Sequence, residues 1–130
     1  MENKLELATQ YGSNVSIQIE ISHYLKNGCL YVGLTSDGVM YGDLTVNLRE
    51  GAPPYCGYID TNNMPEVVQF ITQNDLGHFT GLIQQSGYCA YPLYSFNVER
   101  LRELCPGGMA EYEAVLQAKK VHMAEKGKSR

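Results

Sequence analysis

Residues 13–25 read SNVSIQIEISHYL, the most regular alternation in the chain. Val15, Ile17, Ile19 and Ile21 fall on one side, and Ser16, Gln18, Glu20 and Ser22 on the other. A period of two with β-branched residues on one face predicts a half-buried strand. Upstream, residues 4–9 fit an earlier strand, reached across Tyr11-Gly12-Ser13. Downstream, Asn27-Gly28 is a hairpin dipeptide. Leu30, Val32 and Leu34 then share a face, and Ser36-Asp37-Gly38 turns the chain. On the return, Met40, Leu44, Val46 and Leu48 share a face, while Tyr41, Asp43, Thr45 and Asn47 make the opposite face polar. One wet face is typical of antiparallel meanders, so residues 1–50 predict three or four consecutive strands.

Beyond that meander the period changes. Residues 49–54, REGAPP, form a loop, because neither proline can donate to a ladder. Residues 56–60 fit one more short strand. Asn62 and Asn63 as caps, Pro65 in a first turn and an early Glu66 are helix-start signals. Met64, Val67, Val68 and Ile71 follow at helical spacing, and residues 74–77 end that helix. Strand character returns at residues 78–83 and 88–96, with a turn at Gln85-Ser86-Gly87 and with Pro92 marking an edge or a bulge. Asn97 caps a short helix through Val98, Leu101 and Leu104. Cys105-Pro106-Gly107-Gly108 breaks it. A final helix over residues 109–123 puts Met109, Tyr112, Leu116 and Met123 on one stripe. Strands followed by segregated helices predict an α+β fold. The expected arrangement is an antiparallel sheet of about five to seven strands, in the order β-β-β-β-α-β-β-α-α, with helices packed on one face. Residues 1–124 would be one α+β domain and residues 125–130 a flexible basic tail.

Composition bounds the function. The chain has 130 residues, 44% of them hydrophobic and 18% charged, with a net charge of −4. Such an apolar fraction excludes collagen-like, mucin-like and fully disordered classes. No apolar run approaches the ~20 residues of a membrane helix, and the N-terminus lacks a signal-peptide core, which predicts a cytoplasmic protein. Residues 1–98 hold nine acidic groups against three basic ones, a balance of −6, whereas residues 99–130 carry a balance of +2. An acidic body argues against phosphate-driven nucleic-acid binding except through the tail residues Lys119, Lys120, Lys126, Lys128 and Arg130. The four cysteines form no CxxC pair, and His23, His78 and His122 do not follow them at ligand spacing. No metal or other cofactor is expected. Cys29 and Cys89 lie in apolar runs, where cysteine acts as a small buried hydrophobe.

Three blocks occur in order along the chain: LTVNL at residues 44–48 ahead of the proline loop, YIDTNN at residues 58–63, and SGYCAYPLYSF at residues 86–96. In these the chain resembles the family catalogued as domain of unknown function 4313, over residues 15–104. That resemblance implies a small bacterial protein, of a kind often associated with mobile elements of gut Firmicutes. It supplies no catalytic residues.

The candidate sites are few. The strand-to-helix junction Asp60, Thr61, Asn62 and Asn63 offers polar groups near a helix N-terminus, where anions or an acid/base role would fit. The tyrosines Tyr55, Tyr58, Tyr88, Tyr91 and Tyr94 offer rigid amphipathic contact area, with alternation placing Tyr88 and Tyr94 on one face and Tyr91 on the other. Nucleophilic catalysis by Cys56 or Cys89 with His78 needs geometry and a lowered thiol pKa that no spacing here implies. No catalytic set is expected. The leading expectation is a non-enzymatic interaction module, monomeric or homodimeric, that binds a host or element protein; regulating or inhibiting a defence system is one form of that role. The alternative is a small-ligand binder or minor enzyme with a pocket near residues 60–63 and Tyr88/Tyr91.

Overall fold

The alternation at residues 13–25 folds as expected, into strand β2 (Asn14–His23), with Ile17, Ile19 and Ile21 buried. It pairs antiparallel with β1 (Lys4–Ala8) on one side and β3 (Leu30–Ser36) on the other. The register sets Leu5 against Ile17, Ile19 against Leu34 and Ile21 against Val32, so one face is apolar throughout. In the computed structural model, the backbone is described for residues 4–9 and 11–128, and the side chains as far as residue 121. Strand β4 (Val39–Asp43) completes the sheet β1-β2-β3-β4. Its turn is Asp37-Gly38, with φ of 51° and 79°. Two positive φ values give the type I′ geometry, whose twist matches that of the strands it joins.

A second antiparallel sheet has the order β5-β6-β8-β7, from β5 (Thr45–Val46), β6 (Cys56–Ile59), β7 (Gly77–Ser86) and β8 (Cys89–Phe96). The return strand expected at residues 40–48 therefore divides between two sheets. Its division falls at Leu44, whose N–H donates to the Val32 carbonyl (2.9 Å) and whose carbonyl accepts from the Asp60 N–H (3.1 Å). The face assignment also changes. Met40 is exposed and Tyr41 packs against the core, because the ladder shifts register between Leu34 and Thr35. An extra residue in one strand turns later side chains to the other face.

Thr45, expected on the polar face, is 2% exposed, a buried polar residue beside buried Leu44. Its hydroxyl oxygen accepts from the Val32 N–H (3.1 Å) and lies 2.9 Å from the Tyr24 hydroxyl, which is 3.1 Å from the Thr45 carbonyl. One assignment uses every donor: Val32 N–H to Thr45 Oγ1, Thr45 Oγ1–H to Tyr24 Oη, and Tyr24 Oη–H to the Thr45 carbonyl. Burial raises the Tyr24 pKa, and the hydrogen bond from Thr45 offsets part of that rise.

Helix α1 (Val67–Gln73) starts later than Asn62 and Asn63 predict, and no side chain caps it. Those two amides are committed elsewhere: Asn63 donates to Asp60 and Asn62 to the Ala90 carbonyl. Helix α2 (Val98–Leu104) is capped as expected, the Asn97 side chain accepting from the Arg100 N–H. Helix α3 (Pro106–Lys128) begins inside the segment expected to be a break. Proline suits the first helical position, where its missing N–H costs nothing. Gly108 also belongs in the helix, since a Cβ there would lie 2.2 Å from the Ile21 carbonyl oxygen of β2. The helical backbone continues through Lys128, and residues 129–130, the end of the expected tail, lie outside the described residues. Met123, expected on the apolar stripe, has a side chain outside them too.

One buried cluster draws on both sheets and all three helices, from Leu7, Ile17 and Leu34 through Leu44 and Phe96 to Phe70, Leu101 and Tyr112. Among the described residues no helix is long and apolar enough to cross a membrane.

Two measurements check this packing. Thr45→Val strands the Val32 N–H in a buried position and should cost about 1–3 kcal/mol in chemical denaturation. Gly108→Ala must push α3 off β2, a cost of about 1–3 kcal/mol for overpacking. Gly107→Ala, where nothing lies within 4 Å of the added carbon, should be neutral or slightly stabilising.

Candidate functional site

The junction residues form a self-contained turn. The Asp60 carboxylate accepts from the Asn63 side chain (2.9 Å) and from the Asn63 N–H (3.4 Å). Asn62 reaches the other way, donating its amide to the Ala90 carbonyl at 3.2 Å. The helix beyond is two turns long and begins at Val67, so this loop does not sit on a helix N-terminus. Thr61 makes a tight backbone contact, its N–H donating to the Ile59 carbonyl.

The five tyrosines separate. Tyr94 is buried in the main core, with the Phe79 ring 5.8 Å away. Tyr58 is buried in a smaller cluster with Leu48 and Leu93, and Tyr91 packs against that cluster half-buried. Tyr55 has φ of 62°, a conformation rare for an aromatic residue. Its N–H donates to the Tyr112 hydroxyl (3.0 Å), and its own hydroxyl donates to Glu113 (2.6 Å). Tyr88 stands apart at a tight turn and is fully exposed. Gly87 has φ of 64° and Ser86 pairs with Cys89, so the turn is Gly87-Tyr88, one residue later than expected. A positive φ at the first central position alone is type II′. Tyr88 therefore lies in the turn and shares no strand face with Tyr94.

The proposed catalytic groupings stay apart. His78 and Cys56 both flank Ser95, on opposite sides of β8, two strand spacings or about 10 Å from each other. Burial pushes the Cys56 thiol pKa up, away from what a nucleophile needs. Cys89 and Tyr88 lie at the far end of the hairpin from His78, roughly 25 Å along β7. Among the described residues no three His, Cys, Asp or Glu side chains cluster as a metal site requires. Lys119, assigned to the basic tail, instead donates to the Asn27 carbonyl at 2.8 Å. Lys120 is exposed, and the side chains of Lys126, Lys128 and Arg130 lie outside the described residues.

What the structure does assemble is an arm. β6 pairs with β8 only at residues 93–95, so beyond Pro92 the β7–β8 hairpin runs on with no third strand. β7 is the outer strand of its sheet and is exposed along nearly its whole length. Phe79, Leu82 and Ile83 on it are 46%, 63% and 60% exposed, and Tyr88 caps the tip. Pro92 sits where the β6 ladder has run out, opposite Ile83, and the irregularity expected there falls on β7 between Phe79 and Ile83. Gly81, with φ of 95°, lies within that irregularity. Sequence reasoning named Tyr88 at the tip of this arm and passed over Phe79, Leu82 and Ile83, although a signal was present: residues 76–98 contain no Asp, Glu, Lys or Arg.

The profile described as Domain of unknown function (DUF4313) matches residues 18–116. The chain belongs to this family. No curated protein and no solved structure matches it. The match runs from the middle of β2 to Leu116, the last buried residue of α3 among the described side chains, and so includes the whole arm.

Tyr55 generates a prediction. Arg102 and Tyr55 both hydrogen-bond Glu113, Arg102 at 2.8 Å, and lower its pKa below 4.5. Glu113 in turn raises the Tyr55 pKa above 10.0, chiefly by accepting that hydrogen bond. The carboxylate's contribution is therefore complete above pH 4.5 and lost as pH falls through its lowered pKa. The phenol's is complete below pH 10.0 and lost as pH rises through its raised pKa. Denaturation of wild type and Glu113→Gln should differ most between those limits and converge as pH falls through the lowered pKa of the carboxylate.

Proposed function

We propose that this protein is a non-enzymatic interaction module that binds a partner protein through the β7–β8 arm. The observation that carries the reading is the uncharged hairpin, whose distal half outruns β6 and whose Phe79, Leu82, Ile83 and Tyr88 lie in solvent. Natural edge strands are ordinarily guarded by charges, and contiguous exposed apolar side chains mark contact surfaces. Tyr88 adds a rigid amphipathic anchor of the kind that concentrates binding energy. Of the other candidate tyrosines, Tyr58 and Tyr94 are buried in the two core clusters, and Tyr55 and Tyr91 pack against them. A polar recess of about 460 Å³ bordered by Asn74, Asp75, Asn97 and Arg100 lies at the α1–α2 end, away from residues 60–63.

The partner we infer is a host or element protein in the cytoplasm, with the chain carried on a bacterial mobile element. Regulation or inhibition of a defence system is the role that such a small binding module would serve. This assignment rests on the family context together with an arm built for contact.

Binding by wild-type protein and by the double variant Leu82→Asp/Tyr88→Ser provides the test. A protein retained from bacterial lysate, purified and rebound, should bind the variant at least about tenfold more weakly, because the aspartate must be desolvated. Equal binding by both proteins, or no retained partner from several bacterial hosts, contradicts the reading. The variant should keep wild-type thermal stability, since both side chains are exposed.

A further inference from the structure

We propose that the outer edge of β7 pairs with β7 of a second copy of this chain, antiparallel about a two-fold axis through Gln84. The proposal rests on reading the arm as a contact surface and concerns the main-chain edge of β7 alone.

The phase of the ladder shows which main-chain groups are available. A two-residue turn makes Ser86–Cys89 a hydrogen-bonded pair, so Gln84–Tyr91 is the next one, and the Ile83 and Gln85 main-chain groups point away from β8. The surroundings agree. Pro92, opposite Ile83, has no N–H to offer, and the Ala90 carbonyl, opposite Gln85, is turned outward to accept from Asn62. On the free edge, the Gln85 carbonyl accepts only the neighbouring Gln84 side chain, at 3.2 Å. The irregularity between Phe79 and Ile83 guards the proximal half of the edge. Residues 83–86 beyond it are regular strand with neither charge nor proline.

Charge selects the occupant. An edge without charges gives a charged strand nothing to pair with, and burying that charge is costly. β7 is itself a ten-residue strand with no Asp, Glu, Lys or Arg. A two-fold through Gln84 pairs Ile83 of each copy with Gln85 of the other and sets the two Gln84 residues opposite one another. The same register sets Leu82 of each copy opposite Ser86 of the other and brings each Gly87-Tyr88 turn against the irregular stretch of the other β7. The arrangement is isologous and closes at two copies, which uses up the exposed edge without building a fibre.

Light scattering on the full chain, together with cross-linking, tests the proposal. Wild type should show a dimer mass at high micromolar concentration. Ile83→Lys should weaken association at least about tenfold by placing like charges across the pairing. Tyr88→Ser, at a turn where misfolding is not in question, should also weaken it. The two Gln84 residues would form a non-hydrogen-bonded pair with Cα atoms about 4.5 Å apart, within disulfide range. Diamide should therefore cross-link Gln84→Cys, and not wild type, on a non-reducing gel. A monomer mass at every concentration overturns the proposal, as does a dimer that survives both Ile83→Lys and Tyr88→Ser. A monomer that still binds a partner through the arm overturns the self-pairing alone. A dimer of the expected kind with no partner in any lysate overturns the proposed function alone.

Discussion

The structure depends on a few hydrogen bonds at Leu44 and Thr45, where one strand leaves the first sheet and enters the second. Two four-stranded sheets with separate edges need not share a core. They share one here because the Leu44 N–H is held by β3 while its carbonyl holds the start of the loop after β6. A backbone that changes sheets must leave some groups out of both ladders, and a buried group left unpaired costs about as much as a lost hydrogen bond. The Thr45 hydroxyl takes the Val32 N–H that the departing strand abandons, and Tyr24 closes the circuit. With the seam satisfied, Leu44 and Ile59 can pack with Ile17, Val32 and Leu34 in one cluster, which α3 covers by way of Met109 and Tyr112.

The seam also places the arm. β5 has two residues and β6 has four, so the second sheet is wide only near its base. β7 and β8, at ten and eight residues, outrun their neighbours. An isolated two-stranded hairpin is at best marginally stable in water. Here its base is anchored by Tyr94 and Phe96 in the core, and its distal half is tied by Asn62 and by Tyr91 on the small cluster. The loop at residues 60–63 is thus a brace for the arm.

Much of the fold was legible in the sequence because it follows from local rules. Alternation at Ile17, Ile19 and Ile21 fixed a strand and its buried face, Asp37-Gly38 fixed a turn, and Asn97 fixed a helix start. The α+β class followed from these, whereas the four strands expected before the first helix are six and the one expected sheet is two. The misreadings arose where tertiary demands overrode local ones. Thr45 looks like an outward residue until the missing strand partner of Val32 is known. Gly107-Gly108 looks like a helix break until the approach of α3 to the Ile21 carbonyl is seen. At the candidate site the tyrosine excess was a poor guide, because Tyr58, Tyr94 and Tyr112 are core residues whose rings fill space. The absence of charge from residues 76–98 was the better signal, and its meaning required the knowledge that β7 lies at an edge.

The claim that the Leu44–Thr45 seam joins the two sheets into one core is tested most directly by native-state hydrogen exchange. The amides of Val32, Leu44 and Asp60 should exchange as slowly as those of Ile19 and Ile21, opening only with global unfolding. Exchange of the seam amides orders of magnitude faster than that of Ile19 and Ile21 would show that the sheets open independently and would contradict the account.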